Sequence, residues 1–157
     1  MTMRAAPIGC AAIAALLFAS AASASELKGP GRFCGYSPII DLLPGERIET
    51  LEGGIHGGTF RWIGDFGSLE VNGVGWAGEP KGKVALKRNA KGHVRFAQRR
   101  AKGEYVVAIW NGANGAAYFS SAKPITETQV TAIDRVDLFE EGQKPEGCNL
   151  RTIFSWE

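Results

Sequence analysis

Histidine is nearly absent from these 157 residues: His56 and His93 are the only two. Cysteine occurs three times, as Cys10, Cys34 and Cys148. Two histidines far apart and two downstream cysteines are too few ligands for a structural zinc site. No Cys-x-x-Cys pair occurs, so the usual dithiol redox motif is excluded. No apolar run reaches the roughly 18 residues that a membrane-spanning helix needs. A Walker-type loop, a dinucleotide fingerprint in βαβ context, a His-Glu-x-x-His pair and an EF-hand pattern are all missing. The expectation is a protein without cofactor or metal. The 16 carboxylates show no pattern that marks a glycosidase pair. Glu49, Glu52, Glu140 and Glu141 read as solvated surface. Internal repeats and linkers are also missing.

What is present begins with an address. Met1 to Arg4 carries a positive charge, Ile8 to Ala22 is almost wholly apolar, and Ala22-Ser23-Ala24 supplies small residues at a cleavage site. This is the layout of a secretory signal peptide over residues 1–24. Cleavage after Ala24 leaves residues 25–157 as one β-rich domain, periplasmic or secreted. Cys10 lies near the start of the apolar core, whereas a lipid-modified cysteine would end it. Cys34 and Cys148 then remain, and two cysteines in an exported chain point to one disulfide. Such a bridge spans 114 positions. Loop-closure entropy for that span corresponds to about 4–5 kcal/mol.

The chain otherwise reads as short β-prone runs divided by turn residues. Candidate strands are Arg47–Glu52, Thr59–Gly64, Ser68–Val71, Val74–Ala77, Lys83–Arg88, Val94–Arg99, Tyr105–Trp110, Ala117–Ser121 and Leu150–Trp156. Gly53-Gly54, Gly57-Gly58, Asp65-Phe66-Gly67, Asn72-Gly73, Asn89 to Gly92, Lys102-Gly103 and Asn111 to Gly115 mark turns between them. The spacing predicts an all-β fold, an antiparallel sandwich or small barrel of about 8–9 strands. Tyr105–Trp110 is apolar at both parities and predicts a strand covered on both faces. Ser37-Pro38 followed by Pro44-Gly45 predicts a short helix over 37–43. Thr126 to Gln129 resembles a capping box. The alternation in Ala132–Phe139 nevertheless favours a strand there, pairing with Leu150–Trp156. Short strands and a cysteine pair joining the two ends argue against an outer-membrane barrel.

Charge is the strongest feature. Residues 81–102 hold nine cations and no acid: Lys81, Lys83, Lys87, Arg88, Lys91, Arg95, Arg99, Arg100 and Lys102. The rest of residues 25–157 holds eight cations and all 16 acids, so the expected mature chain is +9 in one segment and −8 elsewhere. Read as a hairpin, 83–88 and 94–99 place Lys83, Lys87, Arg95 and Arg99 on one outward face and turn Phe96 inward. Setting Leu86 opposite Val94 avoids like charges across the pair and is the preferred register. A field of this kind draws polyanions or an acidic partner. The alternative is a charged edge that resists strand pairing, or cations neutralised by the protein's own acids, including those in Asp134–Glu146.

The expectation for function is therefore an exported, non-catalytic domain that binds. Lys83, Lys87, Arg88, Arg95, Arg99 and Arg100 are the residues expected to contact a polyanion such as lipopolysaccharide, an acidic glycan or anionic lipid headgroups, or an acidic protein. Nucleic acid is disfavoured, because Phe96 is the one aromatic in the basic run and its parity removes it from stacking. A second reading is a small periplasmic inhibitor that inserts Gly53–Gly58 or Asn111–Gly115 into the cleft of a hydrolase or protease. A third is a hydrolase using His56 with Asp65 or Ser68, which requires the three to converge. Trp62 and Trp76 share parity with Phe60 and Val74 and are expected in the core.

Overall fold

The computed structural model describes residues 26–54, 56–139 and 145–150. The expected signal segment, Glu140, Glu141 and the run 151–156 lie outside the described residues. In chain order the elements are β1 (Glu26–Lys28), β2 (Gly31–Cys34), β3 (Pro38–Leu42), β4 (Arg47–Gly53), β5 (Gly57–Gly64) and β6 (Gly67–Val74). There follow β7 (Val94–Arg95), β8 (Arg99–Ala101), β9 (Glu104–Trp110), β10 (Ala116–Ser121), α1 (Glu127–Asp134) and β11 (Asp137–Leu138). The larger sheet has the order β1-β4-β5-β6-β10-β9-β7, with β8 also on β9, and does not close into a barrel. The smaller sheet is β11-β3-β2. Every strand pair is antiparallel. The fold is a small all-β sandwich.

Alternation explains which face each strand buries. Phe60, Trp62, Leu69, Val71, Ile109 and Phe119 meet Phe33, Ile40 and Leu42 of the smaller sheet in one core. Contact between the sheets is close enough to require glycine. A Cβ on Gly73 would lie 2.5 Å from Pro38 Cδ, and one on Gly58 would lie 2.6 Å from Tyr36 Cε2. Asn72-Gly73 is therefore not a turn. It continues β6, with Asn72 opposite both Thr59 and Tyr118.

Two further local expectations are overturned. Pro38–Leu42 is strand, and no helix forms over 37–43. Pro38, Ile40 and Leu42 point inward at a period of two, whereas Ser37 does not cap: its carbonyl accepts the Phe139 N–H at 2.8 Å. Burial against the larger sheet wins over the local helix signals. Conversely, the capping box wins over strand alternation. Thr126 Oγ1 accepts the Gln129 N–H at 3.3 Å, and Gln129 Oε1 accepts the Thr126 N–H at 2.9 Å. The helix so started runs to Asp134, which leaves only Asp137 and Leu138 to pair with β3.

The Cys34 and Cys148 sulfurs are bonded, with Cα atoms 5.7 Å apart. Around that bridge the 145–150 segment lies along β2. Asn149 Oδ1 accepts the Arg32 N–H at 2.7 Å, and Leu150 donates its N–H to the Arg32 carbonyl at 3.1 Å. Arg32 also grips Asp41 with two hydrogen bonds, of 2.7 and 3.0 Å. That bonding holds the Asp41 carboxyl below the ordinary aspartate range, against a smaller opposing effect of burial. It raises the Arg32 guanidinium in turn.

β9 is covered on both faces. Val107 and Ile109 enter the main core, while Val106 and Ala108 are buried on the opposite, outer face. Phe96 is buried there too, its N–H bonded to the Ala108 carbonyl at 2.9 Å. The long connection from β6 to β7 folds back beside it. Pro80 is buried, Gly82 approaches the Phe96 ring, and Val84 bridges Phe96.

Two outcomes test this packing. Gly73→Ala should lower stability by about 1–3 kcal/mol, because Pro38 cannot retreat without opening the sandwich; urea unfolding reads the loss. Asp41→Asn should cost roughly 0.5–1 kcal/mol at neutral pH, as expected of a partly exposed pair. A depressed carboxyl contributes above its unfolded value of about 3.9 and loses that contribution as pH falls through the folded value. The gap between wild type and D41N should thus be full above about pH 4 and shrink below it.

Candidate functional site

The basic segment forms the free edge of the larger sheet. β7 and β8 are successive pieces of one strand beside β9, but they are out of step. Arg95 pairs with Ile109, whereas Arg99 pairs with Val106. An extra residue between them shifts the register by one, and a one-residue slip exchanges the faces. Arg95 therefore shares the inner face with Ile109, and Arg99 the outer face with Val106. The expected common outward face for Lys83, Lys87, Arg95 and Arg99 does not exist.

The inner position gives Arg95 a structural partner. Its Nη1 lies 3.0 Å from Asp134 Oδ1 at the end of α1. Arg99 lies beside Gly82 on the outer face. Phe96 is buried, but on the outer side under the β6–β7 connection, not in the main core. Lys83–Arg88 is not a regular strand. It meets 94–97 through one bridge, Val84 to Phe96, flanked by hydrogen bonds of 2.8 Å from Ala85 N–H to the Arg95 carbonyl and from Ala97 N–H to the Lys83 carbonyl. That bridge lies on the register that sets Leu86 opposite Val94. Leu86 itself is fully exposed, so its expected inward direction is overturned.

Ion pairing separates this edge from the rest of the molecule. Six described cations lie outside residues 81–102, and five of them (Lys28, Arg32, Arg47, Arg61 and Arg135) pair with carboxylates. Of the nine inside, only Arg95 pairs with a described carboxylate. Arg88 donates to the Gly92 carbonyl at 2.8 Å, and Arg100 stacks over Tyr105 at 5.7 Å. Neither contact cancels charge. Close ion pairing with described acids accounts for one cation of nine, and Lys91 adds a longer-range attraction to Asp41.

The other candidates sit elsewhere. His56 is exposed in the β4–β5 loop, whereas Asp65 lies in the β5–β6 turn and Ser68 at the start of β6, both at the far end of β5. The length of β5 separates them by roughly 25 Å, so they do not converge. His93 is not a loose surface group. Its side chain is largely buried, with Nε2 2.7 Å from Asp137 Oδ1. Asn89 beside it donates from Nδ2 to the Val136 carbonyl at 2.8 Å, and together they fasten the 89–93 turn to β11. Sequence separation of more than 40 residues hid this pair. Trp62 is in the core, but Trp76 is 67% exposed, because β6 ends at Val74 and strand parity stops there.

The loops Gly53–Gly58 and Asn111–Gly115 share one end of the larger sheet. Gly57, Val74, Ala116 and Trp110 form a row across it. Ala77 donates its N–H to the Asn114 carbonyl at 2.8 Å, which sets Trp76 beside that end. Among the described residues, no three His, Cys, Asp or Glu side chains gather as metal ligands. No described helix is long and apolar enough to cross a membrane. No family model matches the chain, and neither a curated protein nor a solved structure matches it.

The register slip makes a sharp prediction. Arg95→Ser leaves Asp134 without its partner and should cost about 1–3 kcal/mol of folding stability. Arg99→Ser should stay within about 0.5 kcal/mol of wild type. Thermal or urea unfolding of the two variants checks the difference.

Proposed function

We propose that this chain is an exported, non-catalytic β-domain that binds an anionic polymer or acidic partner through the edge formed by residues 81–102. The observation that carries the reading is the contrast in pairing. Five of the six described cations elsewhere pair with carboxylates, whereas of the nine on this edge only Arg95 pairs with a described carboxylate. Holding the other eight cations together, none in an ion pair with a described carboxylate, costs self-repulsion, which a bound polyanion relieves. Lys83, Lys87, Arg88, Arg99 and Arg100 are the contact residues in this reading. Arg95 leaves the set and becomes a residue that holds the edge in place. A Cys34–Cys148 disulfide fits an oxidising compartment, and with the signal-like N-terminus it supports periplasmic or secreted placement. Lipopolysaccharide and acidic glycans are the ligands such a compartment offers.

One observation favours a second reading, the inhibitor. Two glycine-rich loops and an exposed Trp76 gather at one end of the larger sheet. A loop cluster with one exposed aromatic resembles a wedge for a cleft. Blocking of a hydrolase by the purified protein, with loss on Trp76→Ala, would replace the first reading with this one.

Heparin affinity at low and moderate salt tests the first. Mature protein should bind, and binding should weaken steeply between about 50 and 200 mM salt as counterions are released. A Lys87→Ser, Arg99→Ser, Arg100→Ser variant should lose at least about tenfold at low salt and show a shallower dependence. Absence of wild-type binding at low salt would contradict the proposal.

A further inference from the structure

The edge carries apolar side chains among its cations, and the two features together narrow the ligand. Five large hydrophobic side chains are exposed among the described residues: Leu43, Leu51, Trp76, Val84 and Leu86. Three of the five belong to the β6–β7 connection. That same connection, residues 75–93, holds Lys81, Lys83, Lys87, Arg88 and Lys91 against a single acid, Glu79. Leu86 has no shelter at all, with an exposure of 105%, and Val84 is 50% exposed. Scattered single apolar residues on a surface need no explanation. A fully exposed leucine flanked by Lys83, Lys87 and Arg88 on an acid-free edge is a different pattern.

We infer that the anion this edge takes is a lipid surface: an anionic bilayer face, with Leu86 and Val84 entering the headgroup layer while Lys83, Lys87 and Arg88 contact the headgroups. This inference rests on the polyanion reading above and deepens it. A soluble acidic polymer offers negative charge but no apolar layer, so it gives Leu86 nothing. An anionic bilayer offers both within one side chain's reach, and interfacial binding grows with apolar area buried plus attraction to acidic headgroups. Lysine and arginine suit the arrangement, because their stems lie along apolar surface while the charged ends stay at headgroup level. The local backbone also fits. Only one bridge and two backbone hydrogen bonds tie 83–88 to residues 94–97, so Leu86 stands outside the ladder and is available without opening the sheet.

The test compares three proteins on three probes. Wild type, Leu86→Ser and a Lys83→Ser, Lys87→Ser variant are measured for sedimentation with phosphatidylglycerol–phosphatidylcholine vesicles, with pure phosphatidylcholine vesicles, and for heparin binding. Both variants alter exposed side chains, so folding is retained, and circular dichroism verifies it. Wild type should bind the anionic vesicles and not the neutral ones. L86S should lose about tenfold or more on anionic vesicles while heparin affinity stays unchanged. The lysine variant should weaken on both anionic probes. Heparin binding without vesicle binding would overturn the lipid inference and leave the polyanion reading standing, as would L86S binding vesicles like wild type. Equal binding to neutral vesicles would also overturn it. Failure on heparin and vesicles alike would remove both readings.

Discussion

Burial of β9 on two faces is the constraint on which the rest of the structure depends. Val107 and Ile109 need cover on one side, Val106 and Ala108 on the other. The smaller sheet and α1 supply the first cover. Three short strands can do so only because Gly58 and Gly73 let Tyr36 and Pro38 approach closely. The second cover has no sheet to draw on. Phe96 and the β6–β7 connection supply it, and the connection therefore runs along the sheet's last edge. Its solvent side then carries whatever the sequence places there, which is five cations and the exposed Val84 and Leu86. The demand that shapes the core thus also builds the proposed binding surface.

The same geometry divides the cations into two kinds. The slip between β7 and β8 turns Arg95 toward α1 and Arg99 away from it. Arg95 becomes part of the clamp that holds helix to sheet edge, beside a second clamp formed by Arg135, Glu46 and Trp62. There Arg135 Nη2 lies 2.5 Å from Glu46 Oε1, and its guanidinium lies over the Trp62 ring at 5.3 Å. The disulfide and the Arg32–Asp41 pair do comparable work at the far side of the smaller sheet. Outside residues 81–102, five of the six described cations pair with carboxylates. The 81–102 edge is the exception, and that exception is the basis for assigning it a role.

Much of the fold was legible because its signals are local. Glycine and Asn-Gly punctuation located most strand ends, and two-parity hydrophobicity singled out β9. The cation cluster was legible for the same reason, being continuous in sequence. What was missed depends on distant contacts. Residues 37–43 carry helix punctuation, but packing of Pro38 on Gly73 makes Pro38–Leu42 strand. Asn72-Gly73 looks like a turn until Gly73 is seen to admit Pro38. The face of Arg99 follows from a single extra residue in a strand, which no side-chain pattern announces. His93 and Asp137 are 44 positions apart and meet only in the fold.

The central claim is that the basic edge, rather than the loop end of the sheet, is where this protein meets its ligand. Mapping backbone amide shifts by NMR while a heparin oligosaccharide is added tests this most directly. Perturbations should concentrate at residues 83–88 and 99–102, with Arg95 and Asp134 little changed. Perturbations gathered instead at 54–58, 75–77 and 111–115, with a quiet basic edge, would contradict it.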